Sequence, residues 1–286
     1  ARIMPKIATI GFFDGVHRGH RFLFAQLHEH AKHHQLTPTI YTFDRHPKEL
    51  LTGQAPAMLT THDERKALLQ NYGEVHFLDF AAVQQLTAEQ FMQCLYEQYD
   101  VEVLLLGYDH HFGSDCLKGF SEYEKIAHRV GLRVLRAHEC LVDGVAVSSS
   151  RIRKLLAAGQ VHDANRLLGY DYTLTGTVIH GNGIGTQIGF PTANIQLLDS
   201  KKLPMQGVYA AHAQMDGVEY HAIVNVGTNP TIGNDHITIE AHIIDYKGDL
   251  YGRLLAISFV RFLRAEQKFA SLSALQQQIQ RDLQSL

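Results

Sequence analysis

Two unlike folds in tandem are predicted: an α/β unit on a parallel sheet over residues 1–170, then a small β-barrel with a terminal helix over residues 171–286. Three observations predict this. From Lys6 to about Arg136, short apolar runs alternate with amphipathic segments, the rhythm of βαβ units. After Tyr170, β-branched stretches follow one another between Gly, Asn and Asp turns. Helical spacing returns only at the very end, through Leu272, Leu275, Ile279 and Leu283. The 286 residues are 45% apolar and 19% charged, enough for two cores, which excludes disorder as the main state.

Five strands are expected in the first unit, at Ile7 to Gly11, Thr39 to Phe43, Val75 to Leu78, Val103 to Leu106 and Leu132 to Leu135. Each is a nearly continuous apolar run, as a strand covered on both faces requires. Helices are expected between them at Arg21 to His33, His62 to Tyr72, Ala88 to Tyr99 and Ser121 to Val130; Phe91, Leu95 and Tyr99 form one apolar stripe. Two short helical pieces split at Gly159 follow between Ser148 and Leu168. In the second unit, Asp216-Gly217 between Val208 to Gln214 and Tyr220 to Val226 signals a hairpin, and Lys247-Gly248-Asp249 divides Glu240 to Asp245 from Leu254 to Phe262. The terminal helix is expected to pack one face on the barrel.

Composition narrows the function classes. A formal net charge of −3 gives no global basic field, and Arg151, Arg153, Lys154 and Arg166 are too few and too interrupted for a nucleic-acid groove, so small-molecule partners are expected. Cys94, Cys116 and Cys140 lie far apart with no CxxC pair, which fits a reducing cytoplasm and ordinary buried thiols. The apolar run Leu254 to Val260 falls far short of the roughly 20 residues a membrane helix needs. Ala1 to Pro5 has no apolar signal core. His28, His30, His33 and His34 lie on a helix without a carboxylate at ligand spacing, and read as a solvated face.

Strand one runs into Gly11-Phe12-Phe13-Asp14-Gly15-Val16-His17-Arg18-Gly19-His20 and then a helix. Free N–H groups at such a helix start favour phosphate, the glycines admit close backbone approach, and two imidazoles can donate to phosphate oxygens. No Walker lysine is present. From the residues alone, a Gly-rich turn with two incidental histidines is the other reading.

The whole string resembles the signature of the nucleotidyltransferase superfamily in the form used by bacterial FAD synthetases. The resemblance implies a Rossmann-like α/β domain that transfers AMP from ATP. His17 and His20 would stabilise the charge that builds on the α-phosphate, with Gly11, Phe12, Asp14, Gly15 and Gly19 around the ATP. Three further segments match in order. Thr42-Phe43-Asp44-Arg45-His46-Pro47 resembles the family's F-x-P-H-P turn, with Arg45 at the proline position. Gly107-Tyr108-Asp109-His110-His111-Phe112-Gly113 resembles G-x-[DN]-F-x-F-G, with His110 replacing the first aromatic residue. It implies Asp109 and Phe112 at the flavin, whereas the residues alone equally allow a turn-capping Asp and a core-plugging Phe. Val147-Ser148-Ser149-Ser150-Arg151-Ile152-Arg153 resembles I-S-S-T-x-I-R, implying a phosphate clamp of Ser149, Ser150 and Arg153; a plain helix N-cap is the other reading.

A second dense motif spans Gly181 to Asn194. It fails the dinucleotide-binding test, because its glycine spacing is wrong and no helix follows. A glycine arch can still cradle phosphates, and a Thr hydroxyl beside an Asn amide suits Mg2+; a long hairpin loop is the alternative. Gly189-Phe190-Pro191-Thr192-Ala193-Asn194 resembles the hallmark of riboflavin kinases, with Thr186 where that family often has arginine. Gly207 to Ala210, Asn225 to Thr231, Glu240 with His242, Asp245 to Gly252 and Leu263 to Phe269 follow in the family's order. The resemblance implies a β-barrel kinase domain. Gly183 and Gly185 would lie at the ATP phosphates, Thr192 and Asn194 at Mg2+ and phosphate, Arg264 and Glu266 at the flavin, and Glu240 as general base on the ribityl hydroxyl. Without the resemblance, Glu240 reads as a solvated charge on an outward strand face.

The expected whole is a bifunctional enzyme of this family, phosphorylating riboflavin with Mg-ATP to FMN in its C-terminal domain and joining FMN to AMP in its N-terminal domain to give FAD and pyrophosphate. The alternatives are a chain with only one activity and a flavin-binding protein without chemistry.

Overall fold

A computed structural model describes residues 4–180, 189–229 and 236–286. The chain packs as two compact units, Ala1–Ser149 and Ser150–Leu286.

The first unit carries β1 (Lys6–Ile10), α1 (Arg18–His34), β2 (Thr37–Phe43), α2 (Pro47–Thr52), α3 (His62–Leu69), β3 (Glu74–Leu78), α4 (Phe80–Val83), α5 (Ala88–Tyr99), β4 (Val101–Leu106), α6 (Phe120–Val130), β5 (Arg133–Arg136) and a two-stranded pair, β6 (Leu141–Val142) with β7 (Val145–Ala146). The parallel sheet has the order β3-β2-β1-β4-β5. Alternate strand residues serve opposite faces. Ala8, Ile10, Tyr41, Phe43 and Leu104 pack with Phe91, Leu95 and Tyr123 on one side. Ile7, Ile40, Val103 and Leu105 pack with Phe24 and Leu27 of α1 on the other. Both faces are covered, which accounts for the nearly continuous apolar runs.

The predicted elements are present with shifted ends. Helix α1 begins at Arg18, before the expected Arg21, because His17 supplies an extended N-cap whose side chain accepts from the His20 N–H. Strand β4 begins at Val101, because Asp100 closes α5 in a left-handed conformation (φ 58°) and passes the chain directly into the sheet. The end of the expected 62–72 helix tightens into a 3-10 turn at Gln70–Tyr72. Short helices α2 and α4, capped by His46 and Asp79, are additions to the prediction; neither is long enough to show periodicity.

The second unit continues α7 (Ser149–Ala157) and holds α8 (Val161–Leu168), β8 (Thr173–Ile179), β9 (Ala193–Leu197), β10 (Gly207–Met215), β11 (Val218–Asn229), β12 (His236–Ile243), β13 (Leu254–Arg264) and α9 (Leu272–Gln284). Gly159 (φ 75°) breaks α7 from α8 as expected. The boundary was expected after Tyr170, while contacts place α7 from Ser150 onward, and α8, with the barrel. Asn165 of α8 donates to the Phe259 carbonyl at 2.8 Å and accepts from the Tyr172 N–H at 2.9 Å.

The six strands close in the order β10-β11-β12-β9-β8-β13, every pairing antiparallel. The Asp216-Gly217 hairpin joins β10 to β11, whereas β12 and β13 are separated in the barrel by β9 and β8. Tyr209, Ala211, Val224, Ile239, Ala241 and Phe259 fill the interior. Their sequence neighbours Val208, Ile223, Asn225, Glu240 and His242 therefore face outward. The terminal helix lays one face on the barrel as expected, with Leu275, Ile279 and Leu283 half-buried and the first two lining the space against the strands. Leu272 of its predicted stripe is exposed, and the one fully buried residue of α9 is Asp282, held by an ion pair. Among the described residues no helix is long and apolar enough to cross a membrane. The cysteines differ from the buried thiols expected: Cys94 and Cys140 are half-buried and Cys116 is exposed.

Candidate functional site

In the first unit the sheet order reverses between β1 and β4, and the crevice beyond the carboxyl ends of such strands is where open α/β sheets take ligands. The loop after β1 arrives there in a demanding conformation. Phe13 and Val16 have φ of 60° and 39°, and Gly15 has 81°. A side chain at Gly19 would press on the His17 ring and the Val147 carbonyl.

The two histidines of the HxGH string lie together at the start of α1. The rings of His17 and His20 stack with centroids 3.5 Å apart. His17 Nδ1 accepts from the His20 backbone N–H at 3.4 Å, so in the neutral ring the proton sits on Nε2. His20 Nδ1 is buried without a partner, and burial, reinforced by His17, holds its imidazole well below the ordinary 6.5.

Other expected residues hold the loop. The Asp14 carboxylate is buried and accepts from the Leu59 N–H, the Thr60 N–H and the Thr60 hydroxyl, at 3.0 to 3.1 Å. Ser149 Oγ donates to the Asp14 carbonyl at 2.8 Å. Gly11 has no room for a Cβ beside the Phe13 ring. Ser150 and Arg153 lie in the first turns of α7.

The residues expected at the flavin divide. Phe112 packs against Phe91 and Tyr123, and its N–H and carbonyl both engage the Tyr123 hydroxyl, at 2.9 and 2.8 Å, so it anchors the loop in the core. Asp109 is exposed on the same loop. Arg45, at the usual proline position, pairs with Glu49 one turn on, and His46 caps α2 and meets the Phe12 ring edge-on at 4.7 Å.

Sequence reasoning passed over Arg65, a single arginine in an amphipathic helix with no motif around it. It is 2% exposed, lies 3.9 Å over the Phe12 ring and reaches backbone at the ends of both β1 and β2.

In the second unit two cavities of about 310 Å3 each share one residue, Thr192. The first is lined by His180, Asn194, Tyr246, Asp249 and Tyr251 among others. The second lies between the outward faces of β10, β11 and β12 and helix α9, and brings together Glu240, Glu266, Arg264, Asn225 and Asp282. The strand register makes the row: Glu240 stands opposite Asn194 on β9 and opposite Asn225 on β11. Burial, then the negative charge of Glu266, raises the Glu240 carboxyl above its ordinary value. Asn225 Nδ2 donates to Glu266 Oε1 at 3.0 Å, while its Oδ1 is buried without a partner. The Glu266 carboxylate lies against Gly227, in space that a Cβ there would share.

Arg264 donates to both Asp282 oxygens, at 2.9 to 3.1 Å, and Gln278 adds a third donor at 3.0 Å. These contacts close α9 over the cavity. Asn225 and Asp282 were not foreseen as members of this site; the register and a single helix docking bring them in. Gly183 and Gly185, with Thr186, lie outside the described residues. No cluster of three His, Cys, Asp or Glu side chains suited to a metal occurs among the described residues.

An α/β unit with a stacked HxGH pair at its switch point, joined to a barrel with a Thr-Ala-Asn segment beside a half-buried carboxylate, defines a two-domain chain built for phosphate chemistry. Family models describe both halves: FAD synthetase over residues 2–151 and riboflavin kinase over residues 168–286. A curated bifunctional riboflavin kinase/FMN adenylyltransferase from Pseudomonas fluorescens is 36% identical over 97% of this chain and 90% of its own length. The protein so named from Escherichia coli K12 is 36% identical over 96% and 90%, and that from Listeria monocytogenes 30% over 98% and 90%. A solved structure described as a macrolide-efflux protein from Streptococcus pneumoniae superposes with a TM-score of 0.90 at 29% identity, covering 99% of this chain and 94% of that one. This chain belongs to the bifunctional riboflavin kinase/FMN adenylyltransferase family.

Proposed function

We propose that this chain phosphorylates riboflavin to FMN in its second unit and adenylylates FMN to FAD in its first, working in the cytoplasm with ATP as donor for both steps. The observation that carries the kinase reading is the position of Thr192, on the seam of two cavities, with Asn194 on one and Glu240 on the other. Such a seam suits transfer of a phosphoryl group from a nucleotide in one cavity to an alcohol in the other.

Glu240 takes the proton of the ribityl 5'-hydroxyl as its oxygen bonds to the γ-phosphorus and the bond to ADP breaks. The raised Glu240 carboxyl makes it a stronger base than a free carboxylate. The pocket side chains Glu266 and Asn225 offer acceptors to a polyhydroxyl chain. The Thr192 hydroxyl and Asn194 carbonyl are hard oxygen donors on one cavity wall, and fit Mg2+ completed by phosphate oxygens. Bound there, the ion would neutralise phosphate charge.

In the first unit a phosphate oxygen of FMN attacks the α-phosphorus of ATP and pyrophosphate leaves. His17 and His20 donate to the α-phosphate oxygens as charge builds on them. Their stacking and the tight helix start hold them ready before substrate arrives.

A time course of the purified protein with riboflavin, ATP and Mg2+, resolving riboflavin, FMN and FAD, tests both halves. FMN first and FAD after it is the expected order. FMN without FAD, even from added FMN, removes the adenylyl-transfer half, and bound flavin without product removes both.

A further inference from the structure

Arg65 is among the most deeply buried side chains of the first unit and the only lysine or arginine among the described residues that is fully buried. Burying a guanidinium is costly unless its donors are satisfied, and here they are met by neutral groups. One terminal nitrogen donates to the Phe12 carbonyl and to Thr42 Oγ1, both at 2.8 Å, and the other donates to the Phe43 carbonyl at 2.8 Å. Thr42 Oγ1 in turn donates to the Phe12 carbonyl at 3.0 Å. The guanidinium carbon lies 3.9 Å over the Phe12 ring. Burial lowers its pKa to about 10, with Asp14 and Asp44 opposing, so it stays charged at neutral pH.

The three acceptors belong to the loop after β1 and to the last residues of β2. Phe12 opens the turn that leads to His17 and His20; Thr42 and Phe43 end β2 and lead into Asp44-Arg45-His46-Pro47. The segment that carries Arg65 grips the first loop twice. Leu59 and Thr60 hold Asp14 just before α3, and Arg65 inside α3 holds Phe12. The strained Phe13 sits between the two grips.

We infer that Arg65 is a positioning residue for adenylyl transfer, its forked guanidinium locking the histidine loop after β1 to the end of β2, from which the next loop springs, so that the two reacting phosphates are presented in register. This rests on the adenylyl-transfer reading of the first unit. A lysine cannot reproduce the fork but can keep the charge and one or two of the bonds.

The test uses the full chain with Arg65→Lys, Arg65→Met and Thr42→Val, the last removing one acceptor and its own tie to Phe12. FAD formation from FMN and ATP is measured for kcat and both KM values. Riboflavin phosphorylation by the same preparations and thermal unfolding report folding. A loop displaced by about 1 Å costs on the order of 100-fold. The expected result is a loss of that order in kcat/KM for Arg65→Met, with KM raised for ATP and FMN together. Arg65→Lys should recover at least tenfold of it, and Thr42→Val should move the same way by less. A merely structural role would lower the active fraction, dropping kcat with both KM values unchanged and with the melt; that result overturns the proposal. So does unchanged FAD formation in Thr42→Val and Arg65→Lys, should Arg65→Met fail to fold. If the unaltered protein makes FMN but no FAD, the adenylyl-transfer reading itself has failed, and Arg65 loses its role with it.

Discussion

Glu240 of β12 and Asn194 of β9 stand directly opposite each other on neighbouring antiparallel strands, both on the outer face of the barrel. The pairing places a candidate base one strand away from the candidate cation-binding amide, and neither residue is near the other in sequence.

Glu240→Gln keeps the shape and removes the base. Riboflavin phosphorylation is expected to fall by about 100-fold or more, the usual worth of general base catalysis, while FAD formation from supplied FMN stays unchanged. Steady-state assays of the two half-reactions check this, and a kinase rate within a few-fold of the original would remove Glu240 from the role.

The same carboxylate sets a pH dependence. Glu240 is raised by burial and by Glu266, and only its ionised form accepts a proton, so the kinase rate should fall as pH drops through that raised value. Glu266→Gln removes the second cause, and the acid limb of kcat should move to lower pH. A limb that stays in place would assign it to another group.

His20 makes the first unit acid-sensitive. Its folded-state pKa lies well below 6.5, so the unfolded chain takes up the proton first. Its contribution to stability is therefore complete above about 6.5 and is lost as pH falls below it. His20→Asn should flatten the decline in melting temperature between about pH 6.5 and 5 and lower FAD formation by about 100-fold. Parallel pH curves for variant and parent would contradict the linkage.

Asp282 ties α9 to the barrel through Arg264, with the two side chains 6% and 16% exposed. Asp282→Ala strands a largely buried cation and should cost the second unit about 3 kcal/mol, the low end for breaking a buried pair, because Arg264 retains some solvent. With α9 loosened, KM for riboflavin should rise more than KM for ATP. Calorimetry and substrate titrations read the two effects separately.

Much of this protein was decided locally, and so was legible in the chain itself. The nearly continuous apolar runs of β1 and β4, the Gly159 break between α7 and α8, and the Asp216-Gly217 hairpin follow from neighbouring residues alone. The HxGH pair is local too, since a helix N-cap brings His17 and His20 together within one turn. What only the tertiary structure decided are relationships across the chain. Whether Glu240, outward on its strand, meets water or a cavity depends on α9, docked by the Arg264–Asp282 pair. Whether Phe112 reaches a ligand or the core depends on Tyr123. Arg65 carries no signal in its own helix, because its meaning lies in two carbonyls 22 and 53 residues away. Periodicity and motif report short-range order, whereas burial of a charge depends on which distant backbone folds around it.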